Sequence, residues 1–293
     1  MPVGKLWHRR GEGDVAVVLR GFMDESYGSE VIPKLFSLSC LVGNSTAWPF
    51  FEWDWIGVID WKNKQLEAQG RKQLSRYHAS DCSSFKGDFD GWSEDERREF
   101  IGKLVPLFGK HGFHIYGYDV PLQLLVSEIP ETASNPVGFA YVILLQLIMR
   151  EICKNTLTIY PDAVISLHHD RCRYDAVLQE AFNRMIMDEN FECRCRNQFA
   201  SITSEGWEHC IPLQPADFLA YENYKDGLRR LEPRNRRKSL ELLLDLDSIS
   251  GRSLGFTAES IRILKRNIEN MDNETKEILM RNARIKLPQI KRH

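Results

Sequence analysis

The chain has 293 residues, 43% of them hydrophobic, and its 39 basic and 41 acidic side chains leave a formal net charge of −2. This profile suits a soluble protein with a sizeable buried core. The longest apolar run, residues 137–148, falls short of the roughly 20 residues that a bilayer demands. Residues 1–12 carry Lys5, His8, Arg9, Arg10 and Glu12 where a secretory leader would place an apolar stretch. A cytoplasmic location without membrane attachment is therefore expected, with the seven scattered cysteines as reduced thiols.

Residues 15–19, continuing to Asp24, are β-branched and apolar and read as a buried strand. Residues 35–42 form a second strand, ended by Gly43 and Asn44, and Pro33 helps to make the connection a hairpin-like turn. From Trp48 the apolar spacing becomes helical through Phe51, Trp55, Ile59 and Leu66. Ser93 starts another helix, because Glu96 three residues later completes a capping box. Residues 113–120 read as a third strand, stopped by Pro121, and 136–154 as a strongly apolar helix lying flat on the sheet. A buried strand at 163–168 leads into His168, His169 and Asp170; a helix at 174–188 and a short strand at 199–203 follow. Pro215 sits at a helix start, where its missing N–H is harmless, and that helix is expected to reach Lys225. Strands first, then strands alternating with helices, predict an α/β fold with a mixed sheet covered by helices.

After Gly227 the composition shifts. From Arg229 onward there are about sixteen Lys and Arg against about nine Asp and Glu, roughly +7, leaving about −9 for the rest. The expected organisation is an α/β domain at 13–228 and a basic helical appendage at 229–293, with residues 240–246 apolar enough to pack on something.

Four polar clusters sit at element ends. Asp24, Glu25 and Ser26 close the first strand, where a carboxylate is rigidly held and exposed, as a metal ligand requires. The same tripeptide also suits a simple strand-ending turn. His78 lies close to Asp81, a pairing fit for acid–base work or for positioning a substrate, and equally for capping the next element. Asp170 follows a second buried strand, and the adjacent His168 and His169 should point to opposite faces, which makes one of them a core or supporting histidine. Gln214 and Asp217, three apart on a helical start, face the same side. The helix dipole alone would favour an Asp there.

The order Asp24-Glu25-Ser26, His78-Ala79, Leu213-Gln214-Pro215-Ala216-Asp217 resembles the domain of unknown function 3800 family across residues 15–227. In that family a Gly commonly follows the Ser, whereas here Tyr27 intervenes before Gly28. The resemblance implies a ribonuclease-H-like fold that brings Asp24, Asp170 and Asp217 to one point as an acidic metal site. Such a constellation holds two divalent ions about 3.5–4 Å apart, with Mg²⁺ or Mn²⁺ favoured by hard oxygen ligands. The expected function is metal-dependent phosphodiester hydrolysis on DNA or RNA. Asp24, Asp170 and Asp217 would be the ligands and Glu25 a further or alternative one. Gln214 and His78 would position water or phosphate, and Asp81 would orient His78. The alternative is a non-catalytic module that recruits nucleic acid or protein through the basic segment, within a defence or mobile-element system. A homo-oligomer or a partner protein fits either reading.

Other signals are weaker. Cys172, Cys193, Cys195 and Cys210 lack the paired spacing of a structural zinc site, and Cys40, Cys82 and Cys153 are expected to pack as small apolar groups. Trp48, Phe50, Phe51, Trp53, Trp55 and Trp61 can stack on bases, though core packing or a subunit contact suits them better. The basic run 229–238 can neutralise phosphates or simply form a solvated helix end. There is no phosphate-cradling Gly-rich loop and no Gly-x-Ser-x-Gly, which argues against a nucleotide kinase or a serine hydrolase.

Overall fold

The computed structural model describes residues 17–156, 159–187, 197–246 and 250–284. The two early apolar runs form neighbouring antiparallel strands, β1 (Val18–Tyr27) and β2 (Leu35–Asn44), in register from Leu19 opposite Asn44 to Tyr27 opposite Phe36. The strand thus continues through Tyr27, so the extra residue before Gly28 extends β1 and the bend comes after it. In chain order there follow α1 (Trp48–Ala68), α2 (Ala79–Ser84), α3 (Glu94–Lys110), β3 (His114–Pro121), α4 (Leu122–Glu128) and α5 (Pro136–Thr156). Then come β4 (Val164–Asp170), α6 (Asp175–Met187), β5 (Phe199–Glu205), α7 (Leu213–Leu231), α8 (Lys238–Leu244), β6 (Ser250–Gly255), α9 (Ala258–Glu269) and α10 (Asn273–Arg284).

The strands build one mixed sheet in the order β5-β4-β1-β2-β3-β6. The β1–β2 and β2–β3 pairs are antiparallel; β1–β4, β4–β5 and β3–β6 are parallel. Because side chains alternate across a strand, the sheet feeds two cores. Phe36, Leu38, Cys40 and Val42 of β2 face α5, with Leu19 and Met23 of β1 and Ile165 and Leu167 of β4. Phe22 and Leu41 face the opposite core, built with Trp48, Phe51 and Trp55 of α1, Phe100 and Phe108 of α3, and Phe218 of α7. Trp48, Phe51 and Trp55 are buried, while Phe50 and Trp53 are exposed on the outer side of α1. Cys40, Cys82 and Cys153 are buried thiols, as expected of small apolar residues.

Three expectations change. The basic segment is not a purely helical appendage: β6 adds a sixth strand beside β3, from His114 opposite Ser250 to Asp119 opposite Gly255. Ile261 of α9 and Met280 of α10 are buried in the α5-side core, and Leu243 of α8 in the other. The helix expected at 215–225 spans Leu213–Leu231 and crosses the proposed boundary at 228–229 unbroken. Gly227 is there for close packing: a Cβ on it would lie 2.4 Å from Leu35 Cδ2 and 3.1 Å from Asp119 Cγ. Finally, the helical segment Pro136–Asn155 is long and apolar enough to cross a membrane by length and composition, but 78% of its most apolar window is buried inside the protein. The expected strand start at Val15 and Ala16, the helix end at Asp188, and Cys193, Cys195 and residues 285–293 lie outside the described residues.

Candidate functional site

Strand alternation decides which acids can meet. On β1, Phe22 and Asp24 belong to the α7 side, Met23 and Glu25 to the α5 side. The parallel register pairs Phe22 with His168 and Met23 with His169, so one further step brings Asp24 level with Asp170, where β4 ends and β1 runs on alongside β2. Helix α7 lies across β1 and β2 on that face and presents Asp217 from its second turn. Asp24, Asp170 and Asp217, joined by Glu25 two residues before the end of β1, line one cavity of about 400 Å³.

These carboxylates perturb one another. Burial, then the charges of Glu25, Asp217 and Asp170, push Asp24 well above the usual carboxylate range, although the Glu25 N–H donates to its Oδ1 at 2.8 Å. Burial also raises Glu25, opposed by the Tyr141 hydroxyl, which donates to Oε2 at 2.7 Å from α5. Asp170 is raised by burial, against N–H donors from Arg171 and Trp207 and the positive charge of Arg76. Asp217 is raised by burial, against His78, the Ala79 N–H and Arg76. Hard oxygen donors that repel one another and stay uncrowded by close cations are a donor set suited to a divalent cation.

A loop preceding α2 forms a second wall, and α7 holds it. Gln214 is 4% exposed, and its Oε1 accepts from Trp55 Nε1 at 3.1 Å and from the Tyr77 N–H at 2.9 Å. Asp217 Oδ2 accepts from the Ala79 N–H at 2.7 Å, the first residue of α2. The Gln-x-x-Asp spacing therefore clamps the His78 loop, and the Gln214 carbonyl is already engaged rather than free for water or phosphate. His78 lines the same cavity, with its Nδ1 2.8 Å from Asp81 Oδ2.

The two histidines of β4 divide as alternation requires. His168 stacks on Phe22 with ring centroids 4.8 Å apart, and its Nδ1 lies 2.5 Å from Glu205 Oε1 and 2.9 Å from Thr203 Oγ1. His169 faces the other way, near Cys172 and Asp175, the three donor atoms lying within 4.8 Å of one another. Each of that trio is already engaged. His169 Nδ1 is 2.9 Å from the Asp170 carbonyl oxygen, Asp175 accepts from Ser204 Oγ and the Cys172 N–H, and burial pushes the Cys172 thiol up. This reads as a satisfied polar cluster at the edge of the core, with His169 buried and Cys172 and Asp175 half-buried.

Two cavity residues carry no signal in the sequence. Arg76 precedes the His78 loop and Trp207 follows β5, and the Arg76 guanidinium carbon lies 3.9 Å from the centre of a Trp207 ring. A lone Arg and a lone Trp separated by 131 positions form no pattern; only the fold brings them together. The basic run, by contrast, is locally neutralised. Arg229 and Arg236 pair with Asp226, Arg230 with Asp119 and Asp226, Arg234 with Glu232, Arg237 with Glu222, and Lys238 with Glu241. No family model matches the chain, and no curated protein or solved structure matches it.

Proposed function

We infer that the chain is a divalent-metal-dependent nuclease built on a ribonuclease-H-like core, as its resemblance to the domain of unknown function 3800 family implies. One observation carries this reading. Carboxylates from β1, from the strand parallel to it and from the helix lying across β1 and β2 share one cavity, and among the described residues none of them forms an ion pair. Unpaired acids in such proximity raise one another and destabilise the fold, so their presence calls for a function.

Asp24, Asp170 and Asp217 would hold Mg²⁺ or Mn²⁺, with Glu25 reaching in from the other face of the sheet. The bound metal would supply a water of lowered pKa and charge stabilisation at the leaving oxygen. Around it, Gln214 and Asp217 fix the loop that delivers His78. Asp81 Oδ2 lies 2.8 Å from His78 Nδ1, which would orient the ring so that its other edge is turned toward water or a substrate hydroxyl for proton transfer. The rival module, recruiting nucleic acid through the basic segment, has less support because those cations already face acids.

The test is cleavage of a panel of labelled single- and double-stranded DNA and RNA in Mg²⁺, Mn²⁺ or EDTA, with Asp217→Asn beside the wild-type protein. Metal-dependent cleavage that falls at least 100-fold in the variant is expected, the variant keeping its fold because Asn can still accept from Ala79. Equal cleavage by both proteins at saturating metal would refute the assignment of Asp217.

A further inference from the structure

We propose that Arg76, held flat by Trp207, is the residue that grips a phosphate oxygen of the substrate beside the carboxylate cluster. This rests on the metal-site reading above and names the group that fixes the substrate in it.

Arg76 sits among the acids without pairing to any of them among the described residues. It lines the same cavity as Asp24, Asp170 and Asp217, close enough for its charge to act on Asp170 and Asp217. Yet among the described residues it has no ion pair within 4.0 Å and no side-chain hydrogen bond, and its close contact is the Trp207 ring. A guanidinium beside several acids ordinarily closes a bidentate fork on one of them. Stacking on the indole prevents that by fixing the guanidinium plane, while leaving the N–H donors at its edge unpaired.

Trp207 lines the site beside Asp170, its backbone N–H turned toward that carboxylate and favouring the charged form. The Arg76–Trp207 pair thus joins the loop before α2 to the turn after β5 across the cavity, with one end next to a proposed ligand. A planar cation with free donors beside hard-oxygen ligands is complementary to a group that offers several oxygens at once. A phosphoryl group has that form: some oxygens can meet the metal and others the guanidinium. A neutral or purely apolar substrate would use neither.

The experiment is a calorimetric titration of inorganic phosphate into wild-type, Arg76→Ala and Arg76→Lys proteins, with and without saturating Mg²⁺, after Mg²⁺ affinity has been measured for each. Arg76→Ala should weaken phosphate binding roughly tenfold or more, the loss expected for charge-assisted hydrogen bonds. It should bind Mg²⁺ at least as tightly as wild type, since a repelling charge is gone. Arg76→Lys should fall between, keeping the charge but losing the fork. Trp207→Phe should keep phosphate affinity and Trp207→Ala should lower it with Mg²⁺ affinity unchanged, which marks Trp207 as a positioning residue. Phosphate affinity unchanged in Arg76→Ala, with tighter Mg²⁺ binding, would show Arg76 to be only a neutraliser of the acids and overturn the proposal; so would a loss of Mg²⁺ binding in that variant. Absence of Mg²⁺ binding in the wild type would instead overturn the metal-site reading, while the metal-free phosphate titrations would still decide the role of Arg76.

Discussion

The partners of two sets of shielded acids, one buried and one half-buried, separate structure from function. Asp119, 1% exposed on β3, faces Arg230, and Glu222 on α7 faces Arg237 at 3.0 Å. Asp24, Asp170 and Asp217, half-buried, form no such ion pair among the described residues. Burial raises Asp119 to about 6 despite Arg230. Its folded value lies above the 3.8 of the unfolded chain, so the stability linked to its proton is complete below about 4 and is lost as pH rises through 6. Above that range the fold must hold a buried charge, and Arg230 is what makes this tolerable. Arg230→Ala is therefore expected to cost about 2–3 kcal/mol at pH 8 and much less at pH 5, where Asp119 is neutral in both proteins. Denaturant melts at the two pH values check this, and a cost independent of pH would contradict it.

At the scale of elements, local chemistry was legible and long-range pairing was not. The capping box at the start of α3 was readable because both partners lie three residues apart. Ser93 Oγ accepts from the Glu96 N–H at 3.2 Å, and Glu96 Oε2 accepts from the Ser93 N–H at 2.8 Å. What the spacing concealed is that Glu96 also meets Arg71 at 2.6 Å and the buried Lys62 at 3.4 Å, tying α3 to α1. Burial opposes its ionisation, but Ser93, Arg71 and Lys62 together bring Glu96 down to about 2. Ser93→Ala should lower stability by about 1 kcal/mol, the usual worth of an N-cap, as read from the midpoint of chemical denaturation. An unchanged midpoint would show the cap to be redundant with the α1 contacts. Helix α7 shows the opposite case. Gly227 reads as punctuation along the sequence, yet it is a contact point where the helix presses on Leu35 and Asp119. Likewise Asp24, Asp170 and Asp217 were readable as acids ending or opening elements, whereas Arg76 and Trp207 became visible only when the loops met.

Across the whole molecule, the sheet explains both the position of the site and the fate of the basic segment. Parallel pairing of β1 with β4 sets two carboxylates side by side at the strand ends, and α7 covers them on one face while Tyr141 of α5 reaches Glu25 from the other. Residues beyond 229 contribute an edge strand and buried side chains to both cores, and Arg229, Arg230, Arg236 and Arg237 fold onto acids of the body, Asp226, Asp119 and Glu222. The acidic cavity is different: among the described residues its carboxylates form no ion pair. Its carboxylates sit above their ordinary range, so protons and a divalent cation compete for the same oxygens and metal affinity should rise with pH. The most direct measurement is a calorimetric titration of Mg²⁺ and Mn²⁺ into the wild-type protein and into an Asp24→Asn, Asp217→Asn double variant at neutral pH. The metal-site account predicts stoichiometric binding to the wild type and its loss in a double variant that remains folded. Equal binding by both proteins, or none by the wild type even with an oligonucleotide present, would contradict it.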